Sequence, residues 1–271
     1  MEIRARGRLA GLGVVTAAAV TAIATAGAMA GTANAAVAKP SATSAVSTAA
    51  KMASAASATS VAAPAWTAPK QTLKEGDKGS AVKALQERLN SLKYYAGSAD
   101  GQFGNNTIEA VWAFQEVQGI SVDGIVGPQT WKSLEHPKSP TPHNPRVATR
   151  IEVNLKMRVL VLYTNHRIEL ISHVSSGGGY YFCNPGGGGC AYAVTPTGTY
   201  HTTEYMSGWV TVPLGKMYNP VFFIGTAYAI HGDTDVPVNP VSHGCVRVPM
   251  DIAGFFHKMV KTPGTEVIVY S

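Results

Sequence analysis

Two short segments near the C-terminal end bring together the residue types of thiol chemistry. They are Ile230-His231-Gly232-Asp233 and, beginning eleven residues after His231, Ser242-His243-Gly244-Cys245-Val246-Arg247. The thiolate is the nucleophilic form of cysteine, and a free thiol ionises with a pKa of about 8.5. A neighbouring imidazole either takes the thiol proton or stabilises the thiolate as an ion pair. Gly244 removes a side chain beside the sulfur, which would admit a substrate carbonyl and leave backbone N–H groups as oxyanion donors. Arg247 is placed to hold a carboxylate or to fix the loop. Three other arrangements use the same residues. Cys245 could be an inert buried thiol, or a zinc ligand with His231, His243 and, weakly, Asp233. It could also be disulfide-bonded, which would leave one of the other two cysteines unpaired. Spacing alone does not say which histidine is the base.

The elements that must position these groups lie in residues 147–271, which read as β-rich. Ile151, Val153 and Leu155 alternate, as do Val159, Val161 and Tyr163; Thr164-Asn165-His166 makes a turn, and Ile168, Leu170 and Val174 follow. Residues 221–230 are a nearly continuous apolar run, the pattern of one strand covered on both faces. Val267 and Val269 alternate at the end. After Pro249, the residues Ile252, Phe255, Phe256 and Met259 recur at helical spacing. Strands joined by turns, with one helix, predict a sandwich or barrel.

Residues 71–135 read instead as a small helical domain. Val82, Leu85, Leu89 and Leu92 follow a Gly79-Ser80 start signal, Ile108, Val111, Phe114 and Val117 repeat the spacing, and a third helix begins at Pro128 with Trp131 and Leu134. An internal repeat links them: Asp100-Gly101-Gln102-Phe103-Gly104 with Thr107 returns as Asp123-Gly124-Ile125-Val126-Gly127 with Thr130. Its glycines would supply positive-φ turns, with an apolar residue plugging the core. Residues 136–146 hold four prolines and read as a stiff linker, with His136 and His143 solvated.

The N-terminal part carries Arg4, Arg6 and Arg8, then no charge over residues 9–38, and a small-x-small pattern at Ala33-Asn34-Ala35, which predicts a cleaved export signal over 1–35. Residues 36–70, with 14 alanines among Ser, Thr, Val and Pro, read as a flexible tether. The 271-residue chain is 45% apolar and 14% charged, which excludes ordinary disorder. Three cysteines are too few for a disulfide-built miniprotein or a multi-thiolate metal site. Net charge is +6, falling to +4 beyond residue 35 (19 basic, 15 acidic residues). That suits a polyanionic surface and is too weak and scattered for nucleic acid. No apolar run beyond the N-terminal part suits a polytopic membrane protein, and none implies stable insertion after signal cleavage.

The Leu73-Lys74-Glu75-Gly76-Asp77-Lys78-Gly79 opening, the Val82/Leu85/Gln86/Leu89 helix and the twin D-G-x-(F/V)-G loops resemble the three-helix peptidoglycan-binding module. The resemblance implies binding to cell-wall peptidoglycan. Residues 147–271 resemble the L,D-transpeptidase catalytic domain. The likeness runs from Ile151-Glu152-Val153-Asn154-Leu155 through Thr195-Pro196-Thr197-Gly198-Thr199-Tyr200 to Ile230-His231-Gly232 and Ser242-His243-Gly244-Cys245-Val246-Arg247. The expected fold is therefore a small all-α domain followed by a mainly-β, sandwich-like domain. The family implies that Cys245 is the nucleophile and His231 the proton shuttle, oriented by the Gly232 carbonyl. It also implies that His243 shapes the acyl pocket, that amides near Gly244 and Cys245 form the oxyanion hole, and that neither metal nor cofactor is needed. Its reaction takes the carbonyl of a diaminoacyl residue at stem position 3, releases D-Ala, and passes the acyl group from the thioester to the amine of a neighbouring stem. The product is a 3→3 cross-link in a secreted, wall-located setting. Water as acceptor would make the protein an L,D-carboxypeptidase, and a retired cysteine would make it a noncatalytic peptidoglycan-binding protein.

One segment departs from the family pattern. Tyr181-Phe182-Cys183-Asn184-Pro185-Gly186-Gly187-Gly188-Gly189-Cys190 stands where relatives have a short glycine-bearing turn. Two cysteines around a Pro-Gly-rich loop predict a Cys183–Cys190 disulfide, formed after export, with two unpaired thiols as the alternative. Residues 201–220 border the cleft in relatives. Their aromatics Tyr205, Trp209 and Tyr218 read either as a lid over the stem peptide or as core filling.

Overall fold

Helical spacing in the first part of the chain becomes three helices, and alternation in the second becomes two facing sheets. The computed structural model describes residues 66–271, Gly186 excepted. The export signal expected at 1–35 and all but the last residues of the tether expected at 36–70 lie outside the described residues. No described helix is long and apolar enough to cross a membrane.

The helices are α1 (Ser80–Ser91), α2 (Asn105–Gln118) and α3 (Pro128–Glu135). Their apolar stripes meet: Val82, Leu85, Leu89, Val111, Phe114, Trp131 and Leu134 are all buried in one cluster. The internal repeat is a repeat of hydrogen bonds as well as of sequence. Gln86 Nε2 donates to Asp100 Oδ1, the Gln102 carbonyl and Thr107 Oγ1 at 3.0, 2.9 and 3.0 Å, while its Oε1 accepts from Gly101 N–H. Gln115 does the same with Asp123, the Ile125 carbonyl, Thr130 and Gly124 N–H. Each buried amide thus saturates its own loop, and an unsatisfied buried amide is costly. Gly101 and Gly124 take φ of 77° and 72°, as expected, and Phe103 and Val126 are the plugs. The helical core starts earlier than composition suggested. Trp66 packs 6.2 Å from Trp131 and beneath Arg88, and Ala68 N–H donates to Glu135.

The strands are β1 (Arg150–Asn154), β2 (Val159–Thr164), β3 (Arg167–His173), β4 (Tyr181–Cys183), β5 (Cys190–Tyr192), β6 (Gly198–His201), β7 (Glu204–Tyr205), β8 (Trp209–Val212), β9 (Gly215–Ile224), β10 (Tyr228–Asp233), β11 (Val246–Pro249) and β12 (Glu266–Tyr270), with α4 (Met250–Met259) before the last. One sheet has the order β3-β2-β1-β12-β6. The second has β11-β10-β9-β7 with β8 on β9, and β4-β5 is a separate hairpin. Ile151, Val153, Leu160, Leu162, Val267 and Val269 of the first sheet face Val221, Phe223, Ile230, Val246 and Val248 of the second, with α4 adding Ile252 and Phe256. The mainly-β sandwich is as expected.

Two features differ from the sequence reading. Residues 221–230 are a hairpin rather than one strand: β9 ends at Ile224, and Gly225, at φ 50°, opens the turn into β10. The turn residues Gly225-Thr226-Ala227 are small and uncharged, so they leave no polar break in the pattern. The Pro-rich segment keeps His136 and His143 exposed, as expected, but its end is docked. The His143 and Asn144 amides donate to the Glu152 carboxylate at 2.9 and 3.0 Å, and the His143 ring stacks 4.0 Å from Tyr270. The two domains share a core. Every second residue of β2 (Val159, Val161, Tyr163) joins the cluster of the helices, while Leu160 and Leu162 enter the sandwich. A Glu116–Arg158 ion pair flanks the seam.

Candidate functional site

Strand alternation decides which residues can meet. Parallel pairing of β10 with β11 sets Ile230 opposite Val246 and His231 opposite Arg247. Ile230, Val246 and Val248 therefore point into the sandwich, and the intervening residues face the other way. His231, Asp233 and Arg247 all line one cavity of about 560 Å³, together with Cys245, which directly precedes β11. The same face carries a small apolar cluster of Met217, Phe222 and Ala229 against which Cys245 packs.

Ser242, buried, builds the turn that presents the thiol. Its hydroxyl donates to the Cys245 carbonyl at 2.6 Å and accepts from Gly244 N–H at 3.0 Å. Gly244 N–H is thereby engaged, and Cys245 N–H makes no hydrogen bond among the described residues. Thr195 clamps the turn from the side, donating to the Gly244 carbonyl at 2.7 Å and accepting from Gly177 N–H. Gly244 itself sits at φ 145°, and a Cβ there would lie 2.6 Å from the Tyr228 ring and 2.7 Å from the Val194 carbonyl. The absent side chain makes room for these two neighbours, and Gly244 itself lines the cavity.

His231 is 4% exposed, with Nδ1 2.9 Å from the Gly232 carbonyl. Donation from Nδ1–H to that carbonyl leaves Nε2 as the basic nitrogen. Burial holds the His231 imidazole below its usual 6.5, against opposing pulls from the Gly232 carbonyl and Asp233, with Arg247 lowering it further. Burial pushes the Cys245 thiol above 9.0, with the Ala229 amide and Arg247 opposing. Both shifts favour the neutral thiol and neutral imidazole over the ion pair. Arg247 is not a free cation. Its Nε lies 3.2 Å from Asp233 Oδ2, too poorly aligned for a hydrogen bond, and Nη1 donates to the Asp235 carbonyl at 3.2 Å. Asp233, the weak fourth zinc ligand of the sequence reading, is thus Arg247's partner.

The remaining walls come from two hairpins. The β8–β9 hairpin supplies Val210, Val212, Leu214 and Met217, with Lys216 as its charge. None of the aromatics read as a lid lines the cavity. Tyr205 stacks 4.3 Å from His257, Tyr218 packs against the sandwich core, and Trp209, 49% exposed, leans on Tyr218. The other wall is the β4–β5 hairpin, closed by a Cys183–Cys190 disulfide that leaves Cys245 as the free thiol. Phe182 and Asn184 face the cavity from it. Phe182 also meets His243 edge-on at 4.7 Å. Sequence reasoning passed over Phe182, Thr195 and Tyr228. All three act through contacts remote in sequence, and only Thr195, within Thr195-Pro196-Thr197-Gly198, stood in a motif.

Residues 78–134 match the peptidoglycan binding domain family, and residues 148–269 match the L,D-transpeptidase catalytic domain family. A crystal structure of an L,D-transpeptidase from Xylanimonas cellulosilytica is 35% identical, with a TM-score of 0.69 over 77% of this chain and all of that one. An uncharacterised protein of Kitasatospora aureofaciens is 45% identical over 27% of this chain and 64% of its own length. The N-acetylmuramoyl-L-alanine amidase CwlL of Bacillus licheniformis is 53% identical over 23% of this chain and 18% of its own length. The chain thus spans less than two thirds of these two curated relatives.

Proposed function

The chain belongs to the L,D-transpeptidase catalytic domain family, with a peptidoglycan binding domain ahead of the catalytic one, and on that premise we propose that it is a cysteine acyltransferase forming 3→3 cross-links in peptidoglycan outside the cell. The observation that carries this reading is the placement of Cys245 and His231 on one cavity wall, with the His231 tautomer held by Gly232.

In the proposed cycle the stem tetrapeptide lies in the cavity with the carbonyl of its third residue at Cys245. His231 Nε2 takes the thiol proton as Sγ attacks, so the thiolate forms only as it reacts. Cys245 N–H faces the developing oxyanion, and Ser242 keeps the turn in shape while Gly244 N–H stays tied to it. The tetrahedral adduct collapses, the C–N bond breaks, and the His231 imidazolium returns its proton to the departing D-Ala amine. The side-chain amine of an acceptor stem then attacks the thioester carbonyl and gives a proton to His231. The C–S bond breaks, and the proton goes back to sulfur. Apolar walls from Val210, Val212, Leu214 and Met217 keep the thioester dry, which favours an amine acceptor over water. With Arg247 engaged by Asp233, Lys216 is the cation available for a stem carboxylate.

Intact-protein mass spectrometry after rapid quenching tests the intermediate. With disaccharide-tetrapeptide the chain should gain the mass of the disaccharide-tripeptide acyl group at Cys245, and Cys245→Ala should gain nothing. Consumption of substrate with an adduct on another residue, or an unchanged adduct in Cys245→Ala, would contradict the assignment.

A further inference from the structure

The β4–β5 hairpin is only three residue pairs long, and two strands of that length do not hold together in water by themselves. Its alternation separates two faces. Tyr181 and Tyr192 are paired, stand 4.8 Å apart and point outward, Tyr181 being 83% exposed. Phe182, between Tyr181 and Cys183, points to the opposite side, into the cavity wall. There its ring meets the His243 imidazole at 4.7 Å and 73°, and Tyr180 meets the same imidazole at 5.7 Å and 73°. The His243 ring makes no hydrogen bond among the described residues, so these edge contacts are what orient it. Both ends of the hairpin are fixed. The Cys183–Cys190 disulfide closes the distal end beside Phe182. At the base, Tyr180 donates to the Val241 carbonyl at 3.2 Å, and Gly178 N–H donates to the Ser242 carbonyl at 2.9 Å.

We propose that Phe182, held by the disulfide-closed hairpin, is a positioning residue that fixes the His243 imidazole at the cavity beside Cys245. The proposal rests on the reading of that cavity as the reacting site. The segment in which this chain departs from its family pattern thereby acts on the chemistry through one ring. Arg247 is the charged group acting on His243, and burial together with that charge holds its imidazole below 6.5.

The experiment is imidazole NMR across a pH titration of the full chain, paired with steady-state kinetics on disaccharide-tetrapeptide. The variants are Phe182→Ala, Phe182→Tyr and the double variant Cys183→Ser/Cys190→Ser. Phe182→Ala should shift the His243 resonances and move its titration up toward the ordinary histidine value, with kcat falling about tenfold or more. Phe182→Tyr, which keeps the ring edge, should restore both. The double-cysteine variant should move His243 in the same direction as Phe182→Ala, and it serves as the test should Phe182→Ala not fold. An unchanged His243 titration in the folded variants would overturn the proposal. The NMR result needs no turnover, so failure of the transpeptidase reading would show separately, as a wild-type chain that leaves the tetrapeptide intact.

Discussion

Replacing His231 with glutamine is expected to lower kcat/KM by about 10³-fold and to change its pH dependence. A positioned general base contributes on the order of 10² to 10⁴. Here the base matters more than usual, because burial holds the Cys245 thiol above 9.0 and little thiolate preexists near neutral pH. The sign follows from the two shifts. His231 must be neutral to accept the proton, and burial lowers its pKa, so the wild-type acid limb should fall below pH 6.5, with a plateau above it. Without the imidazole, only spontaneous thiolate reacts. The residual activity of His231→Gln should therefore climb steadily toward alkaline pH instead of levelling. A plateau retained in the variant would show that His231 is not the proton acceptor.

The largest expected stability effect lies far from the thiol, at Glu109 on α2. Burial raises its carboxyl pKa to about 8, the nearby Asp251 charge on α4 adds to this, and a hydrogen bond with Asn105 opposes it. Its Oε2 has no partner among the described residues. The folded state thus holds a proton that the unfolded state, with the ordinary glutamate pKa of 4.5, gives up. Folding stability from this group is fully present below pH 4.5 and is lost as pH rises through 8. The total is on the order of 5 kcal/mol. Urea unfolding at pH 5 and pH 8 checks it: wild type should lose several kcal/mol more than Glu109→Gln across that interval. Parallel losses in the two proteins would place the ionised carboxylate in the native state. Asn106, on the same helix, donates to Asp251 at 2.6 Å, so charging Glu109 would put two carboxylates at the contact of α2 with α4.

Much of this was legible in the sequence where period and structure coincide. The stripes of α1, α2 and α4 and the alternation of β1, β2 and β12 read directly, because each buries one face. The second burial of β2 did not, because alternation reports that two faces exist and not what covers the outer one. Here the helices cover it through Val159, Val161 and Tyr163. Trp66 was hidden by the alanine-rich composition around it. At the site, Cys245 and His231 stood out by type, and β-pairing then places them on one face. The reason for Gly244 was not legible, because Tyr228 and Val194 approach it from other strands and loops. The place of residues 201–220 in relatives left Tyr205, Trp209 and Tyr218 open between a lid and core filling, and Tyr205 and Tyr218 pack against the sandwich core. The wall is instead made by the aliphatic residues interleaved with them on the β8–β9 hairpin, since alternate residues face opposite sides.

The most direct test of the central claim is mass spectrometry of the soluble products made from purified disaccharide-tetrapeptide by the chain from residue 36 onward and by its Cys245→Ala variant. The account predicts a dimer joined 3→3, with one D-Ala released per bond formed, and no dimer with the variant. Tripeptide monomer without dimer would show that water reaches the thioester and would contradict the dry-cavity argument. Dimer formed equally by Cys245→Ala would contradict the account at its root.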